Sequence, residues 1–189
     1  IGNLGDGEAV WHADMTYLEL PPKAGILYAL EVPENQGNTH FANMSLAYSD
    51  LSDDIKEKID GKILIHDSAH NSAGMLRKGY SEVNNPTDTP GARHPMVITD
   101  KNTNKKLLFL GRRPHAYIVG LEIEESENLL DEIWEHATQE KYTWTQKWDK
   151  GDLLMWKNLN VLHKRDAFDP NTRRVMHRTQ LKGEMAITA

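Results

Sequence analysis

The sequence predicts a mainly β domain with flanking helices, built as an antiparallel barrel or double-sheet sandwich. Short apolar runs recur between Gly and Pro, as at Ala24–Val32, Lys62–His66, Leu107–Leu110 and Leu153–Trp156. The two helical patterns do not alternate with these runs, which argues against a parallel α/β sheet. No Gly/Ser linker or internal repeat divides the 189 residues, so one domain with a sizeable core is expected.

The elements follow in order. Ala24–Val32 reads as a buried strand closed by Pro33, and the Gln36-Gly37-Asn38 turn leads into a strand from Thr39. Ser52 caps a helix of two to three turns, with Leu51, Ile55 and Ile59 on one face and Gly61 behind it. Lys62–His66 is a strand. The polar stretch Asp67–Ala92 that follows is much longer than an ordinary connection, which predicts a mobile lid. Pro95–Thr99 and Lys106–Leu110 flank a turn at Asp100–Asn104 and form a hairpin. Glu124–Thr138 is the clearest amphipathic helix, with Leu129, Leu130, Ile133, Trp134 and Ala137 on one face and acids in its first turn. Strands return at Tyr142–Trp148, at Leu153–Trp156, which is apolar throughout, and at Arg173–Leu181.

Composition excludes several functions. Against 28 Asp+Glu stand 22 Lys+Arg, a net charge of −6, with 39% hydrophobic residues and no Cys. Disorder does not fit that balance, and without a long basic cluster nucleic acid is not the expected partner. No apolar run approaches the roughly 18 residues of a membrane span. Disulfides, thiolate metal sites and a cysteine nucleophile are excluded outright. A small-molecule partner and a cytoplasmic location are expected, and homo-oligomerisation is left open.

His12-Ala13-Asp14 pairs an imidazole with a carboxylate two residues on, the same-face spacing of a strand. Nitrogen plus carboxylate oxygen suits a divalent first-row metal, and His163, just after an apolar strand, is the candidate third ligand. Downstream, Arg174, Met176 and Arg178 share a face by period two. An inward guanidinium needs an anionic partner, and a bound dicarboxylate would supply one through its bidentate fork. Taken singly, each piece has an ordinary structural reading: a chance H-x-D, a core histidine, a surface arginine.

Together, the order His12-x-Asp14, Gly37-Asn38-Thr39, Gly151-Asp152, Trp156, His163 and Arg174 resembles the taurine dioxygenase and 2,4-dichlorophenoxyacetate dioxygenase family of Fe(II)/2-oxoglutarate enzymes. The likeness runs from Trp11-His12 to Arg178-Thr179 and includes Pro21-Pro22 and the Met176-His-Arg-Thr ending. The 151 positions from His12 to His163 and the 11 more to Arg174 match the family's spacing. It implies a double-stranded β-helix (jelly roll) and an enzyme that uses O2 to convert 2-oxoglutarate to succinate and CO2 while hydroxylating a substrate. His12, Asp14 and His163 would be the iron ligands. Thr39 would hydrogen-bond 2-oxoglutarate and Arg174 would pair with its distal carboxylate, while Arg178 would lie nearer the metal and a substrate anion, sulfonate or carboxylate. Trp156 would pack beside the site. His177 faces away, and His40, His66, His70, His94, His115 and His136 are expected to be structural, with His66 and His70 the foremost exceptions. Family members carry more chain before the H-x-D, so an N-terminal portion is expected to be missing here. Two other readings stay open: a zinc hydrolase using the same triad, and a non-enzymatic cupin-like binding module.

Overall fold

The computed structural model describes residues 6–112, 115–184 and 187, and every strand pair among them is antiparallel. In chain order the strands and helices are β1 (Ala9–His12), β2 (Ala24–Glu31), β3 (Thr39–Asn43), α1 (Met44–Ser49), α2 (Asp53–Ile59), β4 (Ile63–Ile65), β5 (Arg93–Pro95), β6 (Val97–Asp100), β7 (Lys105–Leu108), β8 (Tyr117–Ile118), α3 (Ile123–Ala137), β9 (Thr143–Gln146), β10 (Leu153–Lys157), β11 (Val161–Arg165) and β12 (Val175–Leu181).

Two sheets frame the site, one ordered β1-β11-β3-β9 and the other β10-β2-β12. Their facing sides meet through aromatic rings: Trp156 of β10 lies 5.5 Å from Phe41 of β3 and 5.2 Å from His163 of β11. Consecutive strands thus pass between two facing antiparallel sheets, the jelly roll that the family resemblance implies. Trp156 comes this close because its cross-strand partner is Gly25, where a Cβ would fall 2.3 Å from the indole.

The apolar core lies to one side of these sheets. Met44 and Ala47 of α1, Leu107 and Leu108 of β7 and Leu130 and Ile133 of α3 are nearly inaccessible, and each large side chain there contributes about 1.5–3 kcal/mol by leaving water. The amphipathic pattern of α3 is therefore satisfied, as is the Ser52 cap, whose hydroxyl accepts the Ile55 N–H. Helix α1 is not visible as a periodic pattern because it is under two turns long; its signal is Asn43, whose Oδ1 accepts the Ser45 and Leu46 N–H groups.

Three structural details go beyond the sequence reading. β10 is buried on one face only: Trp156 is covered, whereas Leu153 and Met155 point outward and are 70% and 64% exposed. The last strand begins at Val175, later than the Arg173 start expected, and its pairing with β2 shifts between Val175 and Met176; Arg174, in the loop before it, lines the same cavity as Arg178. The stretch 67–92 is anchored at its base, where His66 N–H bonds to Ala92 O, Ser68 N–H to Pro90 O and Val10 N–H to Ser72 O; residues 78–85 are exposed.

Candidate active site

His12 ends β1 and His163 lies in β11, and the two are register partners, which brings their rings to 4.3 Å between centroids. Asp14 joins them from the turn after β1, so it meets the two rings through a turn and not through strand alternation. Its position is set by Asn158, which is fully buried. Asn158 Oδ1 accepts the Asp14 N–H (2.8 Å), and its Nδ2 donates to the carbonyls of Asp14 and Pro22 (both 2.9 Å). Asn158 reads in sequence as an ordinary turn residue, and only the tertiary contact reveals its task.

Asp14 Oδ1 lies 3.6 Å from His12 Nε2 and 3.5 Å from His163 Nε2, with all three residues buried. Ligands about 2.1 Å from one ion are about 3.0–3.4 Å apart, so a small contraction would seat a divalent metal. The donor set is prepared for one. His12 Nδ1 donates to Val10 O at 2.7 Å, leaving the Nε2 lone pair facing Asp14. Burial, followed by the neighbouring His163, lowers the His12 pKa to about 4, so its ring is neutral at pH 7. Burial alone would raise the Asp14 pKa, but His163, His12 and Arg178 outweigh it and hold the carboxyl well below its usual range. Asp14 Oδ2 is buried without a hydrogen-bond partner among the described residues, the mark expected where a bound group completes the site.

A cavity of about 1000 Å³ opens beside His12 and His163 and is lined by Thr39, Trp156, Arg165, Arg174 and Arg178 among others. Three guanidiniums at one cavity give an anion-attracting interior to a protein of net charge −6. Thr39 is buried, and its hydroxyl oxygen accepts Trp148 Nε1–H at 3.0 Å, which leaves its own proton to donate elsewhere. Arg174 reaches the cavity from the loop before β12, with Nε donating to Gly37 O at 3.1 Å. Gly37 has φ +60°, and a Cβ there would fall 2.8 Å from Arg174 Cδ, so both its conformation and this approach require glycine. Burial, followed by neighbouring Arg165, lowers the Arg174 pKa to about 10. Arg178 Nη2 contacts Asp14 Oδ1.

The other histidines have structural partners or lie apart. His40 bonds Thr145 and Asp166, His94 donates to the carbonyls of Thr16 and Leu18, and His136 donates to Ala47 O. His177, expected to face away, is exposed and pairs across the sheet with Tyr28, yet it is among the residues at the cavity wall. His66 is wholly buried and stacks on Phe109. Asp67, His70 and His115 also bring ligand-type atoms within 4.8 Å of one another. There the His70 and His115 rings stack 3.7 Å apart at 6°, and parallel ring planes share no in-plane point for a metal. Asp67 already accepts from Ala69 N–H and from His70.

Comparison with known proteins agrees with this geometry. The sequence profile described as "Taurine catabolism dioxygenase TauD, TfdA family" matches residues 1–180. The chain is 32% identical over 183 residues to an alpha-ketoglutarate-dependent 2,4-dichlorophenoxyacetate dioxygenase of Burkholderia sp. (strain RASC), covering 97% of this chain and 60% of that protein. It is 29% identical to an alkylsulfatase of Acinetobacter baylyi, covering 95% of this chain and 58% of the relative. Among solved structures, AAD-2 in complex with Mn(II) and N-oxalylglycine superposes with a TM-score of 0.84 at 30% identity, over 99% of this chain and 73% of that one. The chain thus spans about three fifths of the length of these curated relatives.

Proposed function

Because the chain belongs to the taurine catabolism dioxygenase TauD, TfdA family, we propose that it is an Fe(II)- and 2-oxoglutarate-dependent dioxygenase that hydroxylates a small anionic substrate, a sulfonate or carboxylate, releasing succinate and CO2. One observation carries the reading: two imidazole nitrogens and a carboxylate oxygen meet at 3.5–3.6 Å beside a cavity that also holds Arg174. A zinc hydrolase using the same three ligands would leave Arg174 without a task.

His12, Asp14 and His163 would hold the iron and leave the remaining coordination positions to 2-oxoglutarate and O2. Bound there, iron supplies the oxidising chemistry that couples O2 reduction to decarboxylation of the keto acid and hydroxylation of the substrate. The chain's own work is positioning. Arg174 would grip the distal carboxylate of 2-oxoglutarate, and the free Thr39 hydroxyl proton would donate to the same molecule. Trp156, packed on His163 and Phe41, excludes water from one wall. Arg178, on the metal side of the cavity, would take the substrate anion. The names of relatives, a phenoxyacetate dioxygenase and an alkylsulfatase, support an anionic substrate class.

The test is anaerobic addition of Fe(II) and 2-oxoglutarate, which should give a weak visible charge-transfer band that Asp14→Ala and His163→Ala abolish. With O2, sulfonates, sulfate esters and aryloxy carboxylates should then be screened for substrate-dependent succinate release. A full-strength band in either variant, or turnover supported by Zn(II) without 2-oxoglutarate, overturns the reading.

A further inference from the structure

Beyond Arg174, a second guanidinium belongs to the same end of the cavity. Arg165 lies two residues after His163 in β11, so the two side chains share a face, about 6.7 Å apart along the strand. Its register partner on β3 is Thr39, as Phe41 is that of His163. From the metal ligands outward, the cavity therefore passes Thr39 and Arg165 at one level, with Arg174 held over Gly37, two residues before Thr39. A five-carbon dicarboxylate with its keto acid end at His12, Asp14 and His163 would bring its far carboxylate to this level.

Arg165 is held there by its own contacts. Its guanidinium lies 5.0 Å from the centroid of the Phe168 ring and donates to the carbonyls of Gly7 and Asp166. Burial disfavours its charge, and the carboxylates of Asp6 and Asp166 offset that only in part. Arg174 lies close enough to feel it as a like charge, and its side chain donates to a neutral carbonyl, Gly37 O. Two guanidiniums facing one desolvated space repel each other until an anion lies between or beside them, so the bound anion gains from both.

We propose that Arg165 is a specificity-determining residue that, together with Arg174, selects a keto acid bearing a distal carboxylate. The inference rests on the dioxygenase reading above and deepens it by adding a second charge to cosubstrate recognition. Arg165 acts here as an electrostatic partner at the far carboxylate and leaves the keto acid end untouched. Discrimination against a keto acid of the same length without that carboxylate should therefore depend on it.

Binding of 2-oxoglutarate and of 2-oxovalerate to the Mn(II)-loaded protein can be compared by calorimetry. Arg165→Leu should weaken 2-oxoglutarate about five- to tenfold, the loss of one charge-assisted partner in a partly buried site, while leaving 2-oxovalerate within about twofold. Arg165→Lys, which keeps the charge and loses the fork, should fall between, and raised salt should weaken 2-oxoglutarate more in the wild type than in Arg165→Leu. If Arg165 only ties the segment at Gly7 to β11, both ligands weaken together in Arg165→Leu and in Arg165→Lys, and the proposal is overturned. Equal affinities in wild type and Arg165→Leu overturn it as well. Failure of the wild type to bind 2-oxoglutarate with metal present overturns the dioxygenase reading and this inference together.

Discussion

Arg178 Nη2 rests on Asp14 Oδ1, the same carboxylate oxygen that faces His12 and His163. The carboxylate is buried, with its side chain 4% exposed, whereas the arginine is 41% exposed and can swing away without losing much packing. A guanidinium and a divalent cation would compete for this oxygen. Metal loading would thus release Arg178 toward the cavity and its anionic ligand, coupling the two binding events.

Removing that competitor should be visible as tighter metal binding. Arg178→Leu should raise the affinity of the protein for Mn(II) about three- to tenfold, a modest gain because solvent screens so exposed a cation. The same variant should lose affinity for an anionic substrate in the metal-loaded state. Titration followed by the EPR signal of free Mn(II) measures the first effect. Unchanged or weaker Mn(II) binding would show that Arg178 does not compete for Asp14.

Asn158 should matter for the metal without touching it. Asn158→Ala leaves the Asp14 N–H and the Asp14 and Pro22 carbonyls without their buried partner, an expected loss of about 2–4 kcal/mol in stability. Because these bonds hold the turn that presents the carboxylate, Mn(II) affinity should fall by about tenfold or more. Urea unfolding gives the first quantity and metal titration of the still-folded fraction gives the second. A variant destabilised as expected but with wild-type Mn(II) affinity would confine Asn158 to a structural role.

These residues mark where the sequence was legible. His12, Asp14, His163 and Arg174 are picked out by the family resemblance, whose motif sets their chemistry and intervals; the structure brings His12, Asp14 and His163 together, and His12, His163 and Arg174 to one cavity. The residues that place them carry no such mark. Asn158 looks like any turn asparagine, and Trp148 looks like one more alternating aromatic until its indole is seen donating to Thr39. Arg165 follows the candidate ligand by two positions, a signal that strand alternation could have supplied. The fold followed the same division: strands and the long helix are set by local pattern. The one-sided burial of β10 and the register shift between β2 and β12 are set by what packs against them.

Asp100 supplies a prediction away from the site. It closes the β6–β7 turn, where Oδ1 accepts the Asn102 N–H at 2.9 Å, and its Oδ2 ties that turn to the end of β10 by accepting from Asn160 Nδ2 (2.9 Å) and Lys157 Nζ (3.1 Å). Burial would raise its pKa from 3.8, but the Asn102 N–H, Lys157 and Asn160 outweigh that and lower it to about 2. The folded state therefore binds this proton less readily than the unfolded chain. Its stabilisation, about 2 kcal/mol at 1.36 kcal/mol per pKa unit, is complete above the unfolded value near 4 and fades as pH falls from there through about 2. Asp100→Asn removes the ionisable group while keeping size and one acceptor. It should therefore be less stable than wild type by about 1–2 kcal/mol at pH 7, with the gap narrowing steadily between pH 4 and pH 2.5. Urea midpoints and slopes for both proteins at pH 7, 4, 3 and 2.5 measure this. A deficit of the same size at every pH would mean that hydrogen-bond geometry, and not the charge of Asp100, holds the hairpin to β10.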